Sequence, residues 1–496
     1  MGESKNSMKL IRSFEEGDEV VGDILTKGKQ KKDIKIGVLT CGYFEYWRMF
    51  PSMFENVKSD IKAFEDNLSK RYRNLVFLGM VDTLDKADEA GKRLKEEQVD
   101  VVLLTYGTYV ADYITLTALD YVKDVPLIIF SMQNHENINV DGDYEDSLRN
   151  SSIIGISQLT GTLRKLERDY KIIVGSIHDE RAYRKMDVYI KALQVVEDLR
   201  EANIGVIGHV FRGMYDLELS KTFLKRTFGV NVILVQTCHL TEIWEKVTEK
   251  EIDEQTEKLT SRFERKNVTV EDIRRAVRLA VAMKKLAKKL RLNALCFLDQ
   301  HYLQKQFNTS ARIGSSLLME EEGFSANCEG DLCGLITMMM MKSISGKSAF
   351  MGEWGEYDAA TNSCMLMGHG VATPDLAPSD KDIKLAKTPE EWGMDGGGLN
   401  YEFLVKSGPA TIAHMIEVKD GYKMILSDVE SIEFPKIAYD EIYAMFRVKQ
   451  NVKDYLEKIF DYGVAHHCIM GLGDMSAELN AVCDYLKLEK LYIKGV

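Results

Sequence analysis

The chain has no stretch approaching ~20 uninterrupted apolar residues, the length that spans a bilayer, so no transmembrane helix is expected. Met1 to Lys32 is polar and charged without an apolar run, so no signal peptide is expected there. Cationic residues are in deficit. Lys and Arg number 65 against 77 Asp and Glu, a net charge of −12. That balance speaks against a nucleic acid as the main partner, because polyanion binding rests on cationic surface. It leaves phosphorylated small molecules open, since those need only a local pocket. Eight cysteines show no paired spacing, so reduced thiols in a cytoplasmic protein are expected. Cys328, Cys333 and Cys468 read as buried small hydrophobes. No Gly-x-Gly-x-x-Gly follows the first strand, which disfavours a dinucleotide redox protein. Low-complexity segments and sequence-level repeats are also missing.

What is present is ordinary for a globular protein: 45% hydrophobic and 29% charged residues. At 496 residues the chain is too long for one core. Residues 34–40, 74–81, 99–106 and 125–131 read as strands, with helices at 52–70 and 86–97 between them. Such alternation indicates a doubly wound parallel sheet, which binds ligands beyond the carboxyl ends of its strands. Those ends carry Cys41 to Trp47, Tyr106 to Asp112 and Met132 to Glu136. The pattern restarts with strands at 171–176, 203–210, 231–237 and 292–299. A helix around 270–290 shows Lys284, Lys285, Lys288 and Lys289 as a solvated face. After Gly346 short alternating segments take over, with Asp420-Gly421 as a hairpin signal. Asp395 to Gly398 reads as a flexible lid, and a helix near 476–487 closes the chain. The expected class is α/β: two Rossmann-like doubly wound parallel-sheet domains, 1–174 and 175–347, then a mainly β domain, 348–496.

The chemistry-bearing residues lie in the last third. They are Cys328-Glu329-Gly330-Asp331, Met351-Gly352-Glu353-Trp354, Gly368-His369-Gly370 and Ala465-His466-His467-Cys468. Two carboxylates and two imidazoles from separate segments suit a hard or borderline divalent metal. Glu329 and Asp331 precede the apolar run Leu335 to Met341, and charges in such company are costly to bury unless something offsets them. Singly, each residue has an ordinary reading. Glu329 is then an acid at a helix start, Glu353 a surface acid on a strand, and His369 a structural histidine. Adjacent histidines such as His466 and His467 usually face opposite ways, so one of the two is the ligand candidate.

The order Glu-Gly-Asp, then Ala349-Phe350-Met351-Gly352-Glu353, then Gly368-His369 with Pro374-Asp375-Leu376-Ala377, then Ala465-His466-His467 resembles the L-arabinose isomerase family and the related L-fucose isomerases. Val206-Ile207-Gly208-His209, followed by Arg212 to Glu218, looks like the segment that opens that family's central domain. The resemblance implies an aldose–ketose isomerase dependent on Mn²⁺, or on Co²⁺ or Mg²⁺. It implies a hexamer or tetramer whose active sites are completed by a neighbouring subunit. By matching of motifs it implies Glu329, Glu353, His369 and His467 as metal ligands, with the two glutamates also moving protons. Asp331 and His466 become substrate-binding or supporting groups. Three departures leave the sugar open: no glutamate in Gly370 to Thr373, an extra Gly352 before Glu353, and an aromatic loop Gly42 to Arg48 without a glutamine.

In this reading the substrate is a monosaccharide, with neither nucleic acid nor membrane as partner. Tyr43, Tyr46, Trp47, Arg48 and Gln133 are expected to meet its far end, aromatic faces suiting sugar C–H surfaces. Arg48 also offers a fork for an acidic substituent. The rival functions are a metal-dependent sugar epimerase or aldolase, and a non-catalytic sugar-binding protein on the same fold.

Overall fold

Apolar runs without alternation become strands covered on both faces. β1 (Ile36–Cys41), β2 (Leu75–Val81), β3 (Val101–Tyr106), β4 (Leu127–Gln133) and β5 (Lys171–Ser176) form a parallel sheet in the order β2-β1-β3-β4-β5. β1 and β3, at its interior, are buried along their whole length, as parallel strands packed on both faces must be. The helix Pro51–Arg71 starts with proline at its first turn and buries Met53, Val57, Ile61, Phe64 and Leu68 on one face. The computed structural model describes residues 33–298, 302–321, 324–388 and 397–494. The chain divides into two compact units, Lys31–Gln194 and one that runs on from Val195.

The first unit holds this sheet. Lys171–Ser176, placed by the sequence at the head of the second run of strands, is instead its fifth strand and pairs with β4 from Ile128↔Lys171 to Gln133↔Ser176. That pairing covers the edge β4 would otherwise leave open.

The second unit opens with another parallel sheet. β6 (Asn203–Ile207), β7 (Asn231–Val235), β9 (Ala294–Phe297) and β10 (Ser325–Cys328) take the order β10-β9-β6-β7. Between them lies β8 (Glu264–Lys266), which joins the edge of a third sheet. The helix Val270–Lys289 begins with a capping box of Thr269 and Asp272, so two donors at its start are satisfied reciprocally.

The third sheet is mainly antiparallel. Its strands are β11 (Phe350–Asp358), β12 (Ser363–Gly368), β13 (Lys384–Lys387), β14 (Leu399–Leu404), β15 (Gly408–Val418), β16 (Gly421–Ser431), β17 (Ile442–Arg447), β18 (His467–Leu472) and β19 (Glu489–Ile493). Their order is β19-β16-β15-β18-β11-β12-β17-β14-β13-β8. A further pairing of β16 with β17 joins six of them, β16-β15-β18-β11-β12-β17, into a closed ring. Closure removes the open edges that such strands would expose.

Val418 pairs with Gly421, so the β15–β16 turn is Lys419-Asp420, one residue earlier than the Asp420-Gly421 signal placed it. Gly421 joins the ladder rather than the turn. Of the expected lid, Asp395 and Gly396 lie outside the described residues, as does the polar stretch 1–32. Gly397 and Gly398 are tied down: their carbonyls accept from Gln304 Nε2 and from the Thr388 amide. Seven of the eight cysteines are buried, Cys238 is exposed, and none is in a disulfide. No described helix is long and apolar enough to cross a membrane.

Candidate metal centre

Three neighbouring strands of the ring bring three chain segments to one place. β18, β11 and β12 are adjacent, with Glu353 directly opposite His467 and Gly352 opposite Gly368. His369 follows Gly368 at the end of β12. A side chain opposite another on an antiparallel pair lies within ~5 Å at Cβ, so Glu353 and His467 meet by register alone.

The other two acids arrive from the parallel sheet. β10 ends at Cys328, and Glu329 and Gly330 then turn the chain with φ values of 65° and 79°. A left-handed glutamate is strained, and strain of this kind gathers at functional sites. The turn is pressed against the loop after β6. A Cβ on Gly330 would lie 2.6 Å from Val210 Cα and 2.8 Å from the His209 carbonyl oxygen. Gly330→Ala is therefore expected to lower the unfolding free energy by about 1–3 kcal/mol, read by urea denaturation. Asp331 next caps the helix Leu332–Ser345, its Oδ1 accepting from the Gly334 amide at 2.7 Å.

One donor atom each from Glu329, Glu353, His466 and His467 lie within 4.8 Å of one another. His467 is fully buried. Its Nε2 is 3.0 Å from Glu329 Oε2 and its Nδ1 3.0 Å from Asp331 Oδ2. His369 Nε2 is 3.1 Å from Glu353 Oε1 and 3.6 Å from Glu329 Oε1. His466 Nδ1 lies 2.6 Å from Asp216 Oδ2, and its backbone N–H donates to the same oxygen at 3.0 Å. Its Nε2 is buried, makes no hydrogen bond, and lies 4.0 Å from Glu329 Oε2. Adjacent histidines were expected to point apart. Their rings are instead 4.1 Å apart and both lean on Glu329, because the chain bends into β18 between them.

The electrostatics follow. Burial by itself would lower the His467 pKa, but the hydrogen bonds to Asp331 and Glu329 push it up to about 10. Burial would raise the Asp331 carboxyl, yet His414 and His467 hold it well below the carboxylate range. Burial is the largest influence on Glu353 and opposes its ionisation, but the hydrogen bond with His369 and the charges of His369 and His467 together outweigh it and lower that carboxyl. Asp216 is lowered too, since its bonds to His466 outweigh burial.

The donor chemistry fits a cation. Both ring nitrogens of His467 face carboxylate oxygens at 3.0 Å, and a neutral imidazole has only one N–H, so one of the two contacts calls for an added positive charge. Either a proton or a metal ion supplies it. Two of the three imidazoles have a carboxylate hydrogen-bonded at the rear nitrogen, Asp331 behind His467 and Asp216 behind His466, while Glu441 lies behind His369 at 3.8 Å, outside hydrogen-bond distance. A carboxylate in that place fixes tautomer and ring direction in metal-binding histidines.

Asp331 is fully buried, and its oxygens are occupied by His414 at 2.9 Å, His467 and the Gly334 amide. The sequence reading did not single out His414, Asp216 in this role, Glu441 or Arg312. A histidine inside the apolar strand Thr411 to Ile416 is a usable sign, since a buried imidazole requires a partner.

The remaining sequence candidates belong to the other compact unit. Tyr43 precedes the short helix Phe44–Met49 at the carboxyl end of β1. It makes edge contacts with Phe44, Tyr46 and Tyr109. Trp47 donates to Asp82 at 2.9 Å, and Arg48 pairs with Glu45 across 3.2 Å. Gln133 ends β4 and accepts from the Ile177 amide through its carbonyl.

A parallel-sheet frame joined to a closed strand ring, with a buried acid–histidine group of this kind, describes a protein with a candidate cation centre. Residues 347–489 match the family model of the L-arabinose isomerase C-terminal domain. A sulfoquinovose isomerase of Priestia aryabhattai is 22% identical over 407 residues, 81% of this chain and 87% of that protein. A sulfoquinovose isomerase of Clostridium sp. (strain MSTE9) is 24% identical over 354 residues, 69% of this chain and 76% of that one. An L-arabinose isomerase of Aeromonas hydrophila is 20% identical over 429 residues, 83% and 84% of the two chains. The chain is thus similar to the arabinose isomerase family model over its last third and to named sugar isomerases over most of its length.

Proposed function

We propose that this chain is a divalent-metal-dependent aldose–ketose isomerase that moves a proton between C1 and C2 of a monosaccharide through an ene-diol. The observation that carries the reading is the meeting of Glu329, Glu353, His466 and His467 within 4.8 Å, in a chain whose relatives bear the names of sugar isomerases. Glu329, Glu353, His369 and His467 hold the ion, with His466 beside them, and Mn²⁺ is the proposed metal. Such an ion supplies Lewis acidity and orients two neighbouring sugar oxygens.

The proton transfers belong to the carboxylates. The Glu353 side chain is 26% exposed and that of Glu329 only 2%. Glu353 is therefore the group a sugar carbon reaches. It removes the C2 proton and returns it to C1, while Glu329 carries the hydroxyl proton from O2 to O1. Asp331 acts by holding His467 rather than by touching sugar.

Tyr43, Tyr46, Trp47, Arg48 and Gln133 are proposed to serve the sugar's far end in a neighbouring subunit of a homo-oligomer. Their support is their location at the carboxyl ends of parallel strands. A three-part organisation, 1–174, 175–347 and 348–496, and a reducing, cytoplasmic setting belong to the same proposal. The free, mostly buried thiols support the setting.

The test incubates the metal-stripped protein with Mn²⁺, Co²⁺ or Mg²⁺ and a panel of aldoses that includes sulfoquinovose and L-arabinose. Ketose of unchanged carbon number, formed only with metal, is the expected product. Epimers or shorter carbonyl fragments would overturn the isomerase assignment. Metal entry has to displace the His467 proton. Mn²⁺ affinity is accordingly expected to rise about tenfold per pH unit across the neutral range, measured by the electron paramagnetic resonance of free Mn²⁺.

A further inference from the structure

The chain leaves β12 after Gly368, so His369 lies outside the ladder, and Gly370 adopts a φ of 71°. Nothing in the ladder therefore fixes the direction of the His369 ring. Its surroundings do. The Tyr439 hydroxyl donates to the Gly368 carbonyl at 2.6 Å. Ser316 Oγ donates to the Gly370 carbonyl at 3.5 Å and accepts from the Ala372 amide at 3.2 Å. One turn earlier on the same helix, Arg312–Glu321, the Arg312 guanidinium grips Glu441. Residues four apart share a helix face, so one face of this helix holds the backbone after His369 through Ser316 and reaches the ring through Glu441. Arg312 and Glu441 are 1% and 0% exposed. Glu441 Oε2 lies 3.8 Å from His369 Nδ1 and accepts from Tyr439 at 3.4 Å.

A buried ion pair is weak evidence for stability, because an apolar pair of equal volume serves a core as well or better. This pair has a second use. Arg312 compensates the charge of Glu441, and that charge faces the rear nitrogen of an imidazole whose front nitrogen faces Glu353 and Glu329. We propose that Arg312 and Glu441 are positioning residues for the cation centre. When a cation takes the place of the proton that His369 Nε2 shares with Glu353, they set the ring in the Nδ1–H form with its Nε2 lone pair free for the ion. The inference rests on the metal reading above.

Two double variants test it. Arg312→Met with Glu441→Leu removes both charges and keeps volume. Arg312→Met with Glu441→Gln keeps a neutral acceptor at the ring. The first is expected to weaken Mn²⁺ binding about 10–100-fold, with the metal-free melting temperature little changed. The second is expected to recover most of the affinity. In a His369→Gln background the first pair of substitutions should cost no further affinity. An unchanged Mn²⁺ affinity in the Met/Leu variant would overturn the inference. So would failure of that variant to fold, since the pair would then serve the core rather than the ring. One readout needs no altered pair: ¹⁵N-histidine spectra of the Mg²⁺-loaded protein, with His369 assigned through His369→Gln, should show Nδ1 protonated, and the opposite tautomer would overturn the inference. If the unaltered protein bound no Mn²⁺, the metal reading itself would fail, a result distinct from all of these.

Discussion

Glu353→Gln is expected to lower kcat by about 10²–10⁴-fold, the range associated with loss of a positioned general base. The amide keeps the shape of the side chain and an oxygen toward the cation centre. Its nitrogen cannot take a proton from carbon. The substituted position is at the rim, with the side chain 26% exposed, so the fold should survive. The measurement is steady-state turnover with saturating Mn²⁺, beside a circular dichroism melt. Normal turnover in this variant would remove Glu353 from the proton path. Loss of turnover together with loss of Mn²⁺ binding would assign it to holding the ion alone.

Asp331→Ala is expected to have the largest effect on stability. Asp331 is fully buried and serves three groups at once: the imidazoles of His414 and His467, and the amide that opens the helix Leu332–Ser345. Removing one partner from a buried charged network costs about 3–5 kcal/mol, a large part of the ~5–15 kcal/mol that holds a typical domain together. Urea unfolding of the metal-free protein measures it.

The sign with pH can be worked out. The folded pKa of Asp331 is depressed, so its contribution is present above the unfolded value of ~3.9 and is lost as acid protonates it. That of His467 is raised, so its contribution is complete below ~6.5 and is lost as pH climbs toward about 10. The metal-free protein should therefore draw most from this network between about pH 4 and 6.5. The alkaline decline should be much reduced in Asp331→Ala. An equal alkaline decline in both proteins would mean that the network does not control it.

Much of this was legible in the chain. The runs at 36–41, 75–81, 101–106 and 127–133 lie within a residue or two of their expected places, because a strand buried on both faces leaves a continuous apolar stretch. The helix at 270–289 is legible for the complementary reason, an apolar stripe with charges opposite. The acids and histidines were visible as residue types in small, apolar settings. Their companions were not. Arg312 looks like any arginine near a helix start, and Glu441 like any glutamate before a strand. Only a partner 129 positions away makes either distinctive.

What the sequence determined by itself was the alternation of elements, the change of texture after Gly346, and the presence of carboxylates and imidazoles whose burial would need compensation. These depend on neighbours within a few turns or strand steps, and local sterics and periodicity decide them. Tertiary structure alone decided that β18, β11 and β12 lie side by side, that Lys171–Ser176 completes the first sheet, and that His466 and His467 lean on the same glutamate. Strand order and register are set by which distant surfaces bury each other, and no window of sequence contains both partners.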